Sequence, residues 1–73
     1  MIDQLVKDCL AIDDFDYDNS MVELGAESID ILDLKFRIKK AYNVEVDIEL
    51  TSTIREITID IERKLNNVGD GTS

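Results

Sequence analysis

From Ser28 to Tyr42 the apolar residues recur at helical spacing. Ile29, Leu32 and Phe36 form one stripe, with Ile31, Leu34, Ile38 and Tyr42 beside it. That apolar sector is wide, which predicts a helix packed by several neighbours. The charges follow the helix dipole: Asp30 and Asp33 stand near its start, and Lys35, Arg37, Lys39 and Lys40 toward its end. Asn43 suits the stop. The neighbours cannot be a sheet. Only residues 44–49 alternate apolar and polar, and one strand without a partner makes no sheet. This segment reads as an extended connector that closes the core, with one helical turn allowed at 47–50.

Two further helices are predicted. Within residues 2–12, Ile2, Leu5, Val6, Cys9 and Leu10 share one face. Near the other end, Thr53 and Glu56 have the spacing of a capping box, and Thr51 or Ser52 could cap instead. Ile54, Ile57, Ile61 and Leu65 then keep helical spacing, to about Lys64. Its β-branched residues make this helix depend on packing rather than propensity. Residues 13–20 have no helical period and open a long loop, with Phe15 or Tyr17 tucked against the core. Met21, Val22 and Leu24 anchor the chain before a turn at Gly25. The fold class is therefore all-α: a bundle of three main helices with room for a short additional one. The loop lets the first two run parallel or antiparallel. Residues 1–65 form one domain, and the polar, Gly-rich stretch 66–73 reads as a flexible tail.

Composition removes whole classes of function. At 73 residues the chain is one small domain with a modest core. Its single cysteine excludes an internal disulfide, and Cys9, on an apolar face, reads as a core residue rather than a reactive thiol. Without histidine there is no His/Cys metal site and no histidine base, so no catalytic residues are assigned and the chain is not expected to be an enzyme. Asp3, Lys7 and Asp8 interrupt any signal-peptide pattern, and no apolar run reaches membrane-spanning length, so a cytoplasmic protein is expected. The net charge is −9, and residues 1–33 account for it, with ten carboxylates against Lys7. Such a surface repels nucleic acid and anionic membrane and favours basic protein partners. A monomer is expected.

The candidate site is Leu24-Gly25-Ala26-Glu27-Ser28-Ile29-Asp30. Ser28 fits a helix N-cap. Counted from Ser28, however, the third helical position is Ile31, so the reciprocal half of a capping box is missing. The small residues Gly25 and Ala26 leave the hydroxyl approachable, and free amides at a helix start favour a phosphate. Glu27 and Asp30 oppose one by charge. Asp16, Asp18, Ser20 and Glu27 imitate a calcium loop, but Met21 stands where that loop needs glycine, so no metal site is assigned. An unmodified acidic interaction module is the remaining alternative, separated by whether Ser28 is modified.

The stretch Gly25-Ala26-Glu27-Ser28-Ile29-Asp30 resembles the attachment motif of the acyl carrier proteins, usually Gly-Ala-Asp-Ser-Leu at the start of the second helix. The resemblance extends over nearly the whole chain: first helix, acidic loop, serine, connector, and a last helix opened by threonines. It implies a four-helix carrier bundle with 4′-phosphopantetheine attached to Ser28 from coenzyme A by a transferase that supplies base and Mg²⁺. It implies that the arm's thiol carries acyl groups as thioesters between acyl-loading, condensing and other acyl-processing enzymes of fatty-acid, polyketide or specialised lipid synthesis. A peptidyl or aminoacyl carrier is the related alternative. By charge, Glu27, Asp30 and Asp33 are expected to meet partner enzymes, while Leu24, Ile29 and Leu32 flank the arm. Glu27 and Ile29 replace the usual Asp and Leu. The basic second half of helix 28–42 also departs from the family's acidic second helix, which implies a specialised carrier. The connector is shorter than the family's, which puts its short third helix in doubt.

If self-repulsion among the acids opposes compaction, raising NaCl from about 10 mM to about 500 mM, or adding Mg²⁺, should raise the melting temperature. A flat thermal response would show that the carboxylates are already compensated.

Overall fold

The computed structural model describes the backbone of residues 2–70 and the side chains of 2–66. The described chain is all-α: α1 (Asp3–Leu10), a 3-10 turn (Val22–Leu24), α2 (Ser28–Tyr42) and α3 (Ile54–Asp70). The core is aliphatic. Ile2, Val6, Met21, Leu34, Ile38, Ile54 and Ile61 are its fully enclosed larger side chains.

α1 is shorter than the 2–12 periodicity suggests. Ala11 takes a left-handed conformation (φ 56°), and its amide donates back to the Lys7 carbonyl, which stops the helix. Ile2 and Val6 are buried, and Leu5, Cys9 and Leu10 pack partly against the core. The loop that follows is held from two sides. Phe15 and Tyr17 both tuck against the core, their rings stacked with centroids 5.5 Å apart. The Tyr17 hydroxyl donates to the Asp3 carboxylate. That bond holds the Asp3 carboxyl below its usual range and pushes the phenol of Tyr17 up.

Backbone hydrogen bonds then join this loop to the start of α3. The Met21 amide donates to the Ser52 carbonyl at 2.9 Å and the Val22 amide to Leu50 at 2.8 Å. From the other side, Ile54 donates to Asn19 at 3.1 Å and Arg55 to Tyr17 at 2.9 Å. A single β-bridge, Ser20 to Thr53, sits among them. The Arg55 guanidinium adds a bond to Asp18 at 2.9 Å, which raises the guanidinium's already high pKa further.

The connector alternates as the sequence suggests. Val44, Val46 and Ile48 are buried, while Glu45, Asp47 and Glu49 face solvent. No helical turn forms at 47–50; the chain turns at Leu50 and Thr51 instead. A helical turn there would rotate Val46 or Ile48 out of the core, because inward positions repeat every two residues in extended chain and every three or four in a helix. The short extra element is the 3-10 turn before Gly25. α3 opens on the expected capping box: the Thr53 amide donates to Glu56 Oε1 at 2.8 Å and the Glu56 amide to Thr53 Oγ1 at 3.1 Å. It runs past Lys64 to Asp70. Residues 71–73 of the expected tail lie outside the described residues.

α2 has the expected length and stops at Asn43 (φ 60°). Its packing is not as expected. Ile31, Leu34 and Ile38 are buried, but Ile29, Leu32 and Phe36 are 70%, 66% and 65% exposed. α1, α3 and the connector cover a single flank of α2 and leave the stripe in water.

Gly25 has φ 85°, and a Cβ built there would meet nothing within 4 Å. The glycine is thus required by backbone conformation rather than by space. Gly25→Ala should therefore cost about 1 kcal/mol, seen as a fall in melting temperature of roughly 4–8 °C. Gly25→Asn should cost less, since Asn tolerates that conformation better.

Candidate functional site

Met21 anchors the approach to Ser28. The Met21 side chain is fully buried, and its carbonyl accepts the amides of Leu24 and Ala26, both at 3.1 Å. The Val22 carbonyl accepts the Gly25 amide at 3.1 Å. Ala26 points into the core at 6% exposure, so it is a packed residue and not merely a small one. The chain then leaves the core in an extended residue, Glu27 (φ −113°, ψ 175°), and enters α2 at Ser28.

Glu27, not Ser28, is the N-cap. Its amide donates to Asp30 Oδ2 at 2.8 Å, and its carbonyl accepts the amides of Asp30 at 2.9 Å and Ile31 at 3.1 Å. The reciprocal acid that is missing when counted from Ser28 is present when counted from Glu27. Ser28 is the first residue of the helix, is exposed, and makes no side-chain hydrogen bond among the described residues. Neither its amide nor that of Ile29 has a backbone acceptor there. An exposed hydroxyl thus stands beside free amide donors at the positive end of a helix, an arrangement that tolerates a phosphodiester.

The predicted neighbours divide by role. Leu24 is half-buried under the turn, while Ile29 and Leu32 project into solvent from the first turns of α2. Glu27 is exposed. Asp30 is committed to the cap, and Asp33 accepts from Arg37 Nε at 3.2 Å. Cys9, at the end of α1, approaches the same two acids: Sγ lies 3.4 Å from the Asp30 carbonyl and 3.6 Å from Asp33 Oδ2. Burial, reinforced by the Asp33 charge, pushes the thiol up to about 11. Sequence reasoning missed Phe36 and Val22 (53% exposed) as surface residues. Phe36 falls four residues after Leu32, a spacing that was visible but read as core.

The acidic loop does not converge on an ion. Asp16 Oδ1 accepts the Asp18 amide, Asp18 faces Arg55, and Glu23 Oε1 accepts the Ser20 amide. Among the described residues no group of three acids is placed to hold a metal. A cleft of about 380 Å³ lies between Lys35, Glu45, Val46, Asp47 and Lys64, but its lining includes neither Ser28 nor its neighbours. Among the described residues no helix is long and apolar enough to cross a membrane.

A family model described as "Phosphopantetheine attachment site" matches residues 2–61. No curated protein and no solved structure matches the chain.

The contacts of Cys9 make a direct prediction. Its alkylation by iodoacetamide should be slow at pH 8 and should rise with an inflection near 11. An inflection at the ordinary thiol value would mean that Cys9 does not lie against Asp33.

Proposed function

This chain belongs to the phosphopantetheine-attachment carrier family, and from that premise we propose that Ser28 is the attachment serine of an acyl carrier protein. A domain of this family carries covalent 4′-phosphopantetheine on a serine and is a carrier, not a catalyst. Its partners are a phosphopantetheinyl transferase and the enzymes that process what the arm holds.

The observation that supports Ser28 is the state of the hydroxyls. The matched stretch holds Ser20, Ser28 and Ser52. Ser20 Oγ accepts the Glu23 amide at 3.3 Å and Ser52 Oγ accepts the Glu49 amide at 3.0 Å; both residues are half-buried. Ser28 alone of these three is exposed with an unspent hydroxyl. The cap that would occupy it is carried by Glu27 and Asp30.

In the loading step the Ser28 oxygen attacks the phosphorus of coenzyme A that bears the pantetheine. The pyrophosphate P–O bond breaks, adenosine 3′,5′-bisphosphate leaves, and the serine proton passes to the transferase's base. This chain supplies the nucleophilic oxygen, a rigid platform beneath it and amide dipoles beside the new phosphodiester. The attached arm supplies the thiol on which acyl thioesters form. The Gly25-Ala26 form of the motif supports an acyl over an aminoacyl cargo. The match over 2–61 supports a carrier domain at 1–65, from which α3 continues to Asp70. Coenzyme A chemistry and the acidic surface favour a cytoplasmic monomer.

Incubation with coenzyme A, Mg²⁺ and a phosphopantetheinyl transferase should add one phosphopantetheine to the wild type, read by intact mass. Ser28→Ala should gain nothing, yet keep its helicity and stay within about 0.5 kcal/mol of wild-type stability, because its hydroxyl caps nothing. Loading of Ser28→Ala would move the attachment to another serine, and loss of its helicity would restore a capping role.

A further inference from the structure

The cleft of about 380 Å³ between α2, the connector and α3 is separate from Ser28, and its charges are unevenly settled. Lys35, Glu45, Asp47 and Lys64 line it, with Val46 between the two acids. Two of these charges already have partners. Lys64 faces Asp60 Oδ2 at 3.4 Å and donates to the Glu45 carbonyl. Glu45 turns its carboxylate to Lys39 Nζ at 3.5 Å. The other two charges have none. Lys35 makes no side-chain hydrogen bond or ion pair among the described residues, and neither does the Asp47 carboxylate.

The isolation of Lys35 has a local cause. The positions three and four away on α2 hold Ile31, Leu32, Ile38 and Lys39, so the helix offers it no acid. It is nonetheless half-buried, in a chain with 17 acids and 8 bases. A partly desolvated ammonium without a counter-charge favours a ligand that supplies one. Asp47 lines the same cleft from the connector. Alternation turns Val46 inward and leaves Asp47 exposed. The Asp47 amide has no acceptor among the described residues. In extended chain, residues two apart direct their backbone groups to the same side. That amide therefore faces the side on which Lys64 meets the Glu45 carbonyl.

One ammonium and one carboxylate thus stand unpaired in one cleft, too far apart to satisfy each other. The net charge of −9 repels a plain anion, and a plain cation finds acids all along residues 1–33. A zwitterion is indifferent to the net charge and complements this local pair. The volume falls at the small end of ligand sites, which span about 300–1,000 Å³.

We propose that this cleft binds a free α-amino acid with a small apolar side chain. Its carboxylate meets Lys35 and the Asp47 amide, its ammonium meets the Asp47 carboxylate, and its side chain lies toward Val46. Two charge contacts near the surface support millimolar affinity. The site is independent of whether Ser28 is modified.

Titration of the full chain with alanine, followed through the amide resonances of Glu45, Val46 and Asp47, tests it. The shifts should saturate below about 50 mM. N-acetylalanine keeps only the carboxylate and alaninamide only the ammonium. At equal ionic strength each should bind at least about tenfold more weakly than alanine. Lys35→Gln and Asp47→Asn should each weaken alanine about fivefold or more. Lys7→Gln and Glu62→Gln, the same changes of net charge away from the cleft, should stay within about twofold of wild type. Circular dichroism should match wild type for all four variants. The capped ligands are tested on the wild type, so their result stands even if a change at half-buried Lys35 disturbs the fold. Equal or tighter binding of N-acetylalanine would make this a plain anion site, and equal binding of alaninamide would reduce it to acidic surface. Either result overturns the proposal. So would shifts that never saturate, or an equal loss in the control variants.

Discussion

The backbone bonds between residues 17–22 and 50–55 hold the rest in register. Without them the path from Leu10 to Ser28 would be a long loop whose ordering costs entropy at every residue. With them, Tyr17, Asn19, Met21 and Val22 are tied to Arg55, Ile54, Ser52 and Leu50. Met21 is thereby fixed as a buried plug, and Ala26 and the Gly25 turn are built on its carbonyl and that of Val22. The position of Ser28 is thus set from the opposite end of the sequence. A helix start placed this way holds the exposed Ser28 at a fixed point on the surface.

The same economy runs through the acids. Asp14, Asp16, Glu23, Asp30 and Glu56 each accept a backbone amide close by in sequence. Much of what reads as a diffuse negative surface is turn and cap chemistry. At α2 this has a functional consequence. Because Glu27 and Asp30 close the helix start, the serine between them is spared that duty. Cys9 is spared from chemistry in a different way: packed against Asp30 and Asp33, it is held as a thiol, so its sulfur does not compete with that of an attached arm.

α2 is consequently a helix with two apolar faces and two destinies. Ile31, Leu34 and Ile38 bind it to the bundle; Ile29, Leu32 and Phe36 remain in water. A small domain that exposes three large apolar residues in one row forgoes the burial each could contribute, about 1.5–3 kcal/mol apiece. Such a row differs from the single scattered apolar residues that are ordinary on a protein surface.

The sequence by itself determined the local elements. Period 3.6 marked α2 to its last residue, Thr53 and Glu56 marked the start of α3, and strict alternation marked the connector as extended. These signals are local, carried by residues within a turn or two of one another. It also singled out Ser28 as the candidate attachment serine, through the Gly25-Ala26 turn and the family motif. Tertiary structure decided what periodicity cannot encode: which of two apolar faces is covered. Ile29 and Ile31 are chemically identical, and only the placement of α1, the connector and α3 buries one and exposes the other. It also decided which residue caps α2. Glu27 and Ser28 could each do so, and the Met21 anchor sets the point at which the chain turns from extended to helical.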